Sequence, residues 1–138
     1  MVVAMRSSTL SAQDDALTEQ IIGAAFRVHR ILGPGLLEGL YQKALGVELL
    51  AAGMSTQSER VINVTYAGVS LGEQRLDLVV ANKVVVELKA VEMLAQVHRA
   101  QLLTYLRTSG LPIGLLINLG SEQLQVKRLL NTHKSNSP

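Results

Sequence analysis

Apolar residues recur at helical spacing at Ile22, Ala25, Phe26 and Leu32, with Asp14 and Asp15 ahead of them as capping residues. The pattern predicts a helix from about Asp14 to Leu32, broken by Gly33-Pro34-Gly35. A second helix is expected from Leu36 to a C-cap at Gly53, with Leu45 and Leu49 on its inner face. The texture then turns β-rich. Arg60 to Tyr66 reads as a strand, Ala67-Gly68 as a turn, and Val69 to Val80 as a second strand. Asn82 and Lys83 mark another turn, and Val84 to Ala90, with three consecutive valines, is the most β-prone segment. Met93 to Ser109 returns to helical spacing and stops at Gly110. Ile113 to Leu119 is a short apolar strand of the kind covered on both faces. Gln123 to Leu130 reads as a last strand at the sheet edge, where Lys127 and Arg128 suit a guarded edge better than a phosphate clamp.

The predicted order is α-α-β-β-β-α-β-β, an α/β fold with a mixed sheet flanked by helices. The helix between Val84–Ala90 and Ile113–Leu119 makes a β-α-β crossover, so those two strands are expected to be parallel and the others antiparallel. Residues 14–131 read as a single domain, with 1–13 and 132–138 as flexible tails.

Composition narrows the chemistry. A chain of 138 residues is long enough for one buried core, and with one Phe, three Tyr and no Trp that core is aliphatic. The absence of cysteine excludes disulfides, zinc-thiolate sites and thiol catalysis, and makes the cytoplasm the simplest location. No apolar run approaches the roughly 18 residues that span a bilayer, so no membrane role is expected. A net charge of +2 does not by itself mark a nucleic-acid binder.

Polar residues interrupt this apolar pattern at a few positions. In the Val84–Ala90 strand, alternation puts Val84, Val86 and Leu88 on one face and Val85, Glu87 and Lys89 on the other. Asp77 interrupts the preceding strand in the same way. A three-residue loop, Ala81-Asn82-Lys83, would pair Val80 with Val84 and set Asp77 opposite Glu87. A two-residue loop would send the acids to opposite faces. In the first register the carboxylates would lie roughly 4 to 5 Å apart. They would repel each other unless a divalent cation such as Mg²⁺ or Mn²⁺ joined them. Lys89 could then orient or deprotonate a water, or stabilise charge on a phosphate, which fits metal-assisted phosphodiester hydrolysis.

Other polar residues border this group. Glu38 shares a helical stripe with Tyr41, Leu45 and Leu49 and is a candidate third acid, with Tyr41 as a candidate site-edge residue, although an acid in a first helical turn also has a purely structural reading. His98, Gln101 and Tyr105 form one stripe of the third helix and could border the site. Arg75 would share the face of Asp77 in a regular strand. His29 reads as a hydrogen-bonded core histidine before a ligand, with the Gly-Pro-Gly turn as one partner. Alone, Glu87 and Lys89 also read as an exposed ion pair worth under about 1 kcal/mol.

Gly35-Leu36-Leu37-Glu38-Gly39-Leu40-Tyr41 is G-x-x-E-x-x-Y. With Arg75-Leu76-Asp77, Val86-Glu87-Leu88-Lys89, the His98–Leu106 segment, Gly114–Asn118 and Lys127-Arg128, it resembles the bacterial GxxExxY protein family of the PD-(D/E)XK nuclease superfamily. The likeness runs from about Thr18 to Asn131. It implies a restriction-endonuclease-like core in which Asp77 and Glu87 bind metal with Glu38, and Lys89 is the lysine of (D/E)-x-K. Gln101 and Tyr105 match a Q-x-x-x-Y pattern of nucleases that process DNA ends. Leu76 replaces the proline before the aspartate. The expected partner is nucleic acid, DNA in preference to RNA. A second copy of the chain or a larger protein partner would supply further grip. The alternative is a non-catalytic binding or assembly module that keeps the acidic pocket.

Overall fold

A computed structural model describes residues 2–3 and 10–132. The expected tails, 1–13 and 132–138, lie for the most part outside those residues. The elements in chain order are β1 (Val2–Val3), α1 (Ala12–Leu32), α2 (Glu38–Ala51), β2 (Thr56–Tyr66), β3 (Val69–Val80), β4 (Val84–Lys89), α3 (Gln96–Ser109), β5 (Ile113–Asn118) and β6 (Gln125–Leu130). Apart from the two-residue β1, this is the order expected from the apolar pattern.

Local chemistry explains the boundaries. The α1 cap is Ser11, whose hydroxyl accepts the Asp14 N–H at 3.0 Å, so Asp14 and Asp15 occupy the first turn instead of capping it. Their charge favours that end of the helix dipole. α1 stops at Gly33, whose N–H donates to the His29 carbonyl. The turn to α2 needs backbone at φ +67° and +115°, which Gly33 and Gly35 supply without a Cβ penalty. The Tyr41 hydroxyl, buried in α2, donates to the Gly33 carbonyl at 2.5 Å and accepts the Leu36 N–H at 3.1 Å.

The strands lie side by side in the order β1-β6-β5-β4-β3-β2. The pairs β2/β3, β3/β4 and β5/β6 are antiparallel, and β4/β5, joined through α3, are parallel. β6 is not the outermost strand, because β1 pairs with it in parallel.

Helices cover both faces. α1 and α2 pack on one face, with Ile21, Ala24, Tyr41 and Leu45 against Leu78, Val86, Leu88 and Ile117. α3 packs on the other, with Leu102, Tyr105 and Leu106 against Val79, Val85, Leu116 and Leu129. β5 is buried at every position and β4 at all but Lys89. Each such Leu or Val contributes roughly 1.5–3 kcal/mol by leaving water. Arg128 is not an exposed guard. Its side chain is 2% exposed and donates to Asp15 at 2.7 Å and to Thr18 at 3.1 Å, tying β6 to α1.

Candidate functional site

The β3–β4 loop takes the three-residue register. Val80 pairs with Val84, Val79 with Val85 and Leu78 with Val86. Ala81 and Asn82 hold positive φ in the turn, and the Lys83 N–H donates to the Val80 carbonyl. One step further, at Asp77 and Glu87, side chains take over from the backbone ladder. The Asp77 N–H donates to Glu87 Oε1 at 3.1 Å, and the Leu88 N–H donates to Asp77 Oδ2 at 3.0 Å. Each carboxylate fills the gap left where the two strands part.

The gap coincides with a twist in β3. Leu76 packs in the α3 core and Leu78 in the core under α1 and α2, although strict alternation would give both to one face. On β2, Glu59 stands between the pairs Ser58–Leu78 and Arg60–Leu76 with φ +57°. Gln42 of α2 closes this side by donating to the Asp77 carbonyl at 3.1 Å and to Glu59 Oε2 at 2.9 Å. Asp77 is thus fixed from two neighbouring elements, β4 and α2.

Electrostatics follow from that placement. Burial is the main reason that the Glu87 carboxyl is pushed up to about 8, and the neighbouring Asp77 charge adds to it. Its bond from the Asp77 N–H and the Lys89 charge act in the opposite direction. Burial likewise holds Asp77 above the usual carboxylate range, against the Leu88 N–H, with Glu38 and Glu59 raising it further. The Tyr105 hydroxyl is raised by burial and by the two acids, which puts it within their field.

Lys89 ends β4 opposite Asn118 of β5, and beyond it the chain is held by a polar hub. Asn118 is fully buried. Its Oδ1 accepts the Val91 and Gly120 N–H groups, each at 3.0 Å, and its Nδ2 donates to the Val91 carbonyl and to Gln125 at 2.9 Å. A Cβ at Gly120 would run into the backbone of Ala90 and Val91, so this close approach requires glycine.

The other expected site residues divide. Glu38, first in α2, is half-buried and near enough to raise both acids. Tyr105 donates from its hydroxyl to Gln74 Oε1 at 3.1 Å, walling the site from the α3 side. Gln101, one turn earlier, is exposed and makes no hydrogen bond among the described residues. His98 does not reach the acids. Its Nδ1 accepts the Ala95 N–H at 3.0 Å and caps α3. His29 Nε2 donates to the Ser121 carbonyl at 2.9 Å, tying α1 to the β5–β6 loop and not to the Gly-Pro-Gly turn. That turn is clamped by the Tyr41 hydroxyl. Arg75 sits opposite Val61 and reaches Glu59 at 4.0 Å on the surface. The twist at Asp77 removes the shared face expected of a regular strand.

Gln42, Glu59 and Asn118 escaped the sequence reading. Gln42 lies one helical turn beyond Glu38, and that spacing was the available signal. Glu59 lies just outside the β-prone run that starts at Arg60, and nothing in its neighbours announces the positive φ. Asn118 sits in an apolar strand, where a buried amide signals a polar network.

Among the described residues, no three His, Cys, Asp or Glu side chains gather closely enough to hold an ion. Glu38 therefore does not complete the expected three-acid cluster. Asp77 and Glu87 still suit a hard divalent cation. Each commits one oxygen to a backbone N–H, and Asp77 Oδ1 and Glu87 Oε2 accept no hydrogen bond among the described residues. A cation there would offset the Asp77 charge that, after burial, raises Glu87, and Mg²⁺ commonly binds through two carboxylates and retained waters.

A family model described as the PD-(D/E)XK nuclease superfamily matches residues 15–129. That span holds every residue of the site above. No curated protein and no solved structure matches the chain. Among the described residues no helix is long and apolar enough to cross a membrane.

Proposed function

We propose that this chain, which belongs to the PD-(D/E)XK nuclease superfamily, hydrolyses phosphodiester bonds of nucleic acid with a divalent cation, Mg²⁺ or Mn²⁺. Within the superfamily we assign it to the GxxExxY family, on Gly35, Glu38 and Tyr41 and the motifs that follow them. We take DNA as the substrate in preference to RNA, and the bacterial cytoplasm as the location.

The observation that carries this reading is the mutual fixing of Asp77 and Glu87, each carboxylate bonded to the backbone of the other's strand or its neighbour. Asp77 and Glu87 would hold the cation, and Glu38 would add negative charge from the helix above them. A bound cation would supply charge stabilisation at the phosphoryl oxygens and a more acidic water. The protein's own groups do the rest. The two backbone N–H bonds hold the carboxylates in place before substrate arrives, so little reorganisation is needed at reaction. Lys89 offers an ammonium group to charge developing on the phosphate, and Gln101 reaches from α3 to orient the attacking water. Tyr105 and Gln74 limit solvent on that side.

Calorimetric titration with Mn²⁺ and cleavage of a labelled oligonucleotide test the reading together. Glu87→Ala should abolish both. Lys89→Ala should keep Mn²⁺ binding and lose about 10²–10⁴-fold in rate, the usual scale for a positioned proton-transfer or charge-stabilising group. Mn²⁺ binding without cleavage of any nucleic acid would favour the non-catalytic module.

A further inference from the structure

A cavity of about 440 Å³ lies between the start of α3 and β6, walled by Leu94, Ala95, Gln96, Arg99 and Lys127. Two of these five residues are cations and none is an acid. Elsewhere on the described surface Arg27, Arg75 and Lys83 meet carboxylates, while Arg30, Lys43 and Arg107 stand apart from one another and from this cavity's lining. Arg99 and Lys127 meet none among the described residues. Both are exposed, so neither charge is stabilised by the fold.

The sheet register relates this cavity to the acid pair. Glu87 pairs with Leu116, and Leu116 pairs with Lys127. Directly paired residues face the same side, and Leu116 packs in the α3 core. Lys127 therefore emerges on the face that carries Glu87, two strands away, at about 10 Å for the ordinary strand spacing. The first turns of α3 lie between, with the exposed Gln101 on them. The opening thus lies on the same sheet face as the acid pair, with charge of the opposite sign.

We infer that this cavity is a phosphate-binding subsite, in which Arg99 and Lys127 hold a second phosphate of the strand whose scissile bond lies at Asp77 and Glu87. The guanidinium fork matches two phosphate oxygens, and the ammonium adds a point charge. The strand-holding role rests on the nucleic-acid reading above, and the anion site does not. It also accounts for a chain of small net charge: two unpaired cations at one place do the work of a broad basic surface.

Two probes test it on the full chain. Inorganic phosphate is titrated while backbone amide NMR shifts are followed, and a single-stranded 12-mer is bound by Asp77→Asn protein at several salt concentrations. In the parent protein, phosphate should move the Gln96 and Arg99 amides. In Arg99→Ala/Lys127→Ala those shifts should vanish, and oligonucleotide affinity should fall about tenfold. The slope of log affinity against log salt should become shallower by roughly 1.4, about 0.7 per lost phosphate contact. Arg107→Ala, an exposed cation at the far end of α3, should change neither. Unchanged oligonucleotide binding in the double variant overturns the inference and leaves the nuclease reading standing. An equal loss in Arg107→Ala also overturns it, because the effect is then diffuse charge. Phosphate shifts in a protein that binds no oligonucleotide overturn the strand-holding role together with the nucleic-acid reading, leaving an anion site.

Discussion

The Tyr41 hydroxyl and the Gly33 carbonyl are joined at 2.5 Å across the turn between the first two helices. The same hydroxyl accepts the Leu36 N–H, so one buried oxygen satisfies both sides of the turn. Tyr41→Phe should leave a buried carbonyl and an N–H without this partner and destabilise the fold by about 1–3 kcal/mol. Urea unfolding measures the loss. Mn²⁺ affinity should be retained, because the Tyr41 hydroxyl is committed to Gly33 and Leu36. A variant with intact stability and lost binding would return Tyr41 to the site.

The acid pair makes stability fall as pH rises. In the folded protein Glu87 keeps its proton up to about pH 8, whereas the ordinary value is 4.5. Between those limits the folded state binds more protons than the unfolded one, so this contribution is complete below pH 4.5 and lost by pH 8. The interval corresponds to at most roughly 5 kcal/mol. The raised Asp77 acts in the same direction. Without added metal, Glu87→Gln should be more stable than wild type at pH 9, and the difference should shrink towards pH 5. A wild-type-minus-variant difference independent of pH would refute the assignment.

The elements themselves were legible in the sequence because their periods are clear: valine-rich β4, apolar β5, and helices broken by Gly33 and Gly110. The meeting of Asp77 and Glu87 hung on the loop length, which the sequence left open and the three-residue register decides. What the sequence hid were contacts made at long range. The Leu76–Leu78 twist depends on where β3 leaves β4, and one strand's alternation cannot express that. The His98 and His29 rings went to backbone partners, a choice that helical spacing leaves open. β2 proved longer than its β-prone run because pairing with β3 carries Thr56 to Arg60 along.

Arg128 shows the same effect in a charged residue. It looked like an edge-strand cation and is in fact sealed between β6 and α1. Arg128→Ala should leave Asp15 and Thr18 without this donor in a partly buried place and destabilise by about 3 kcal/mol. Lys127→Ala, its exposed neighbour, should fall within about 0.5 kcal/mol of wild type. Thermal and urea unfolding of the two variants, compared side by side, separate them. Equal effects would show that the Arg128–Asp15 link is not maintained in solution.

Cation binding should release a proton. At pH 7 Glu87, pushed up to about 8, carries its proton in most molecules. A ligand carboxylate must be ionised, so the cation displaces that proton. Calorimetric Mn²⁺ titrations at pH 7, in buffers of different ionisation enthalpy, should therefore report release of close to one proton. At pH 9 the release should fall to about a tenth, since the group is then already ionised. Apparent affinity should climb about tenfold per pH unit below 8 and level off above it. Glu87→Gln should lose the binding. Asp77→Asn should weaken it and lower the pH at which affinity levels off, because the Asp77 charge is one of the causes that raise Glu87. Tight Mn²⁺ binding with no buffer dependence at pH 7 would mean that Glu87 is not the group displaced. The cation would then have to be sought away from the Asp77–Glu87 gap.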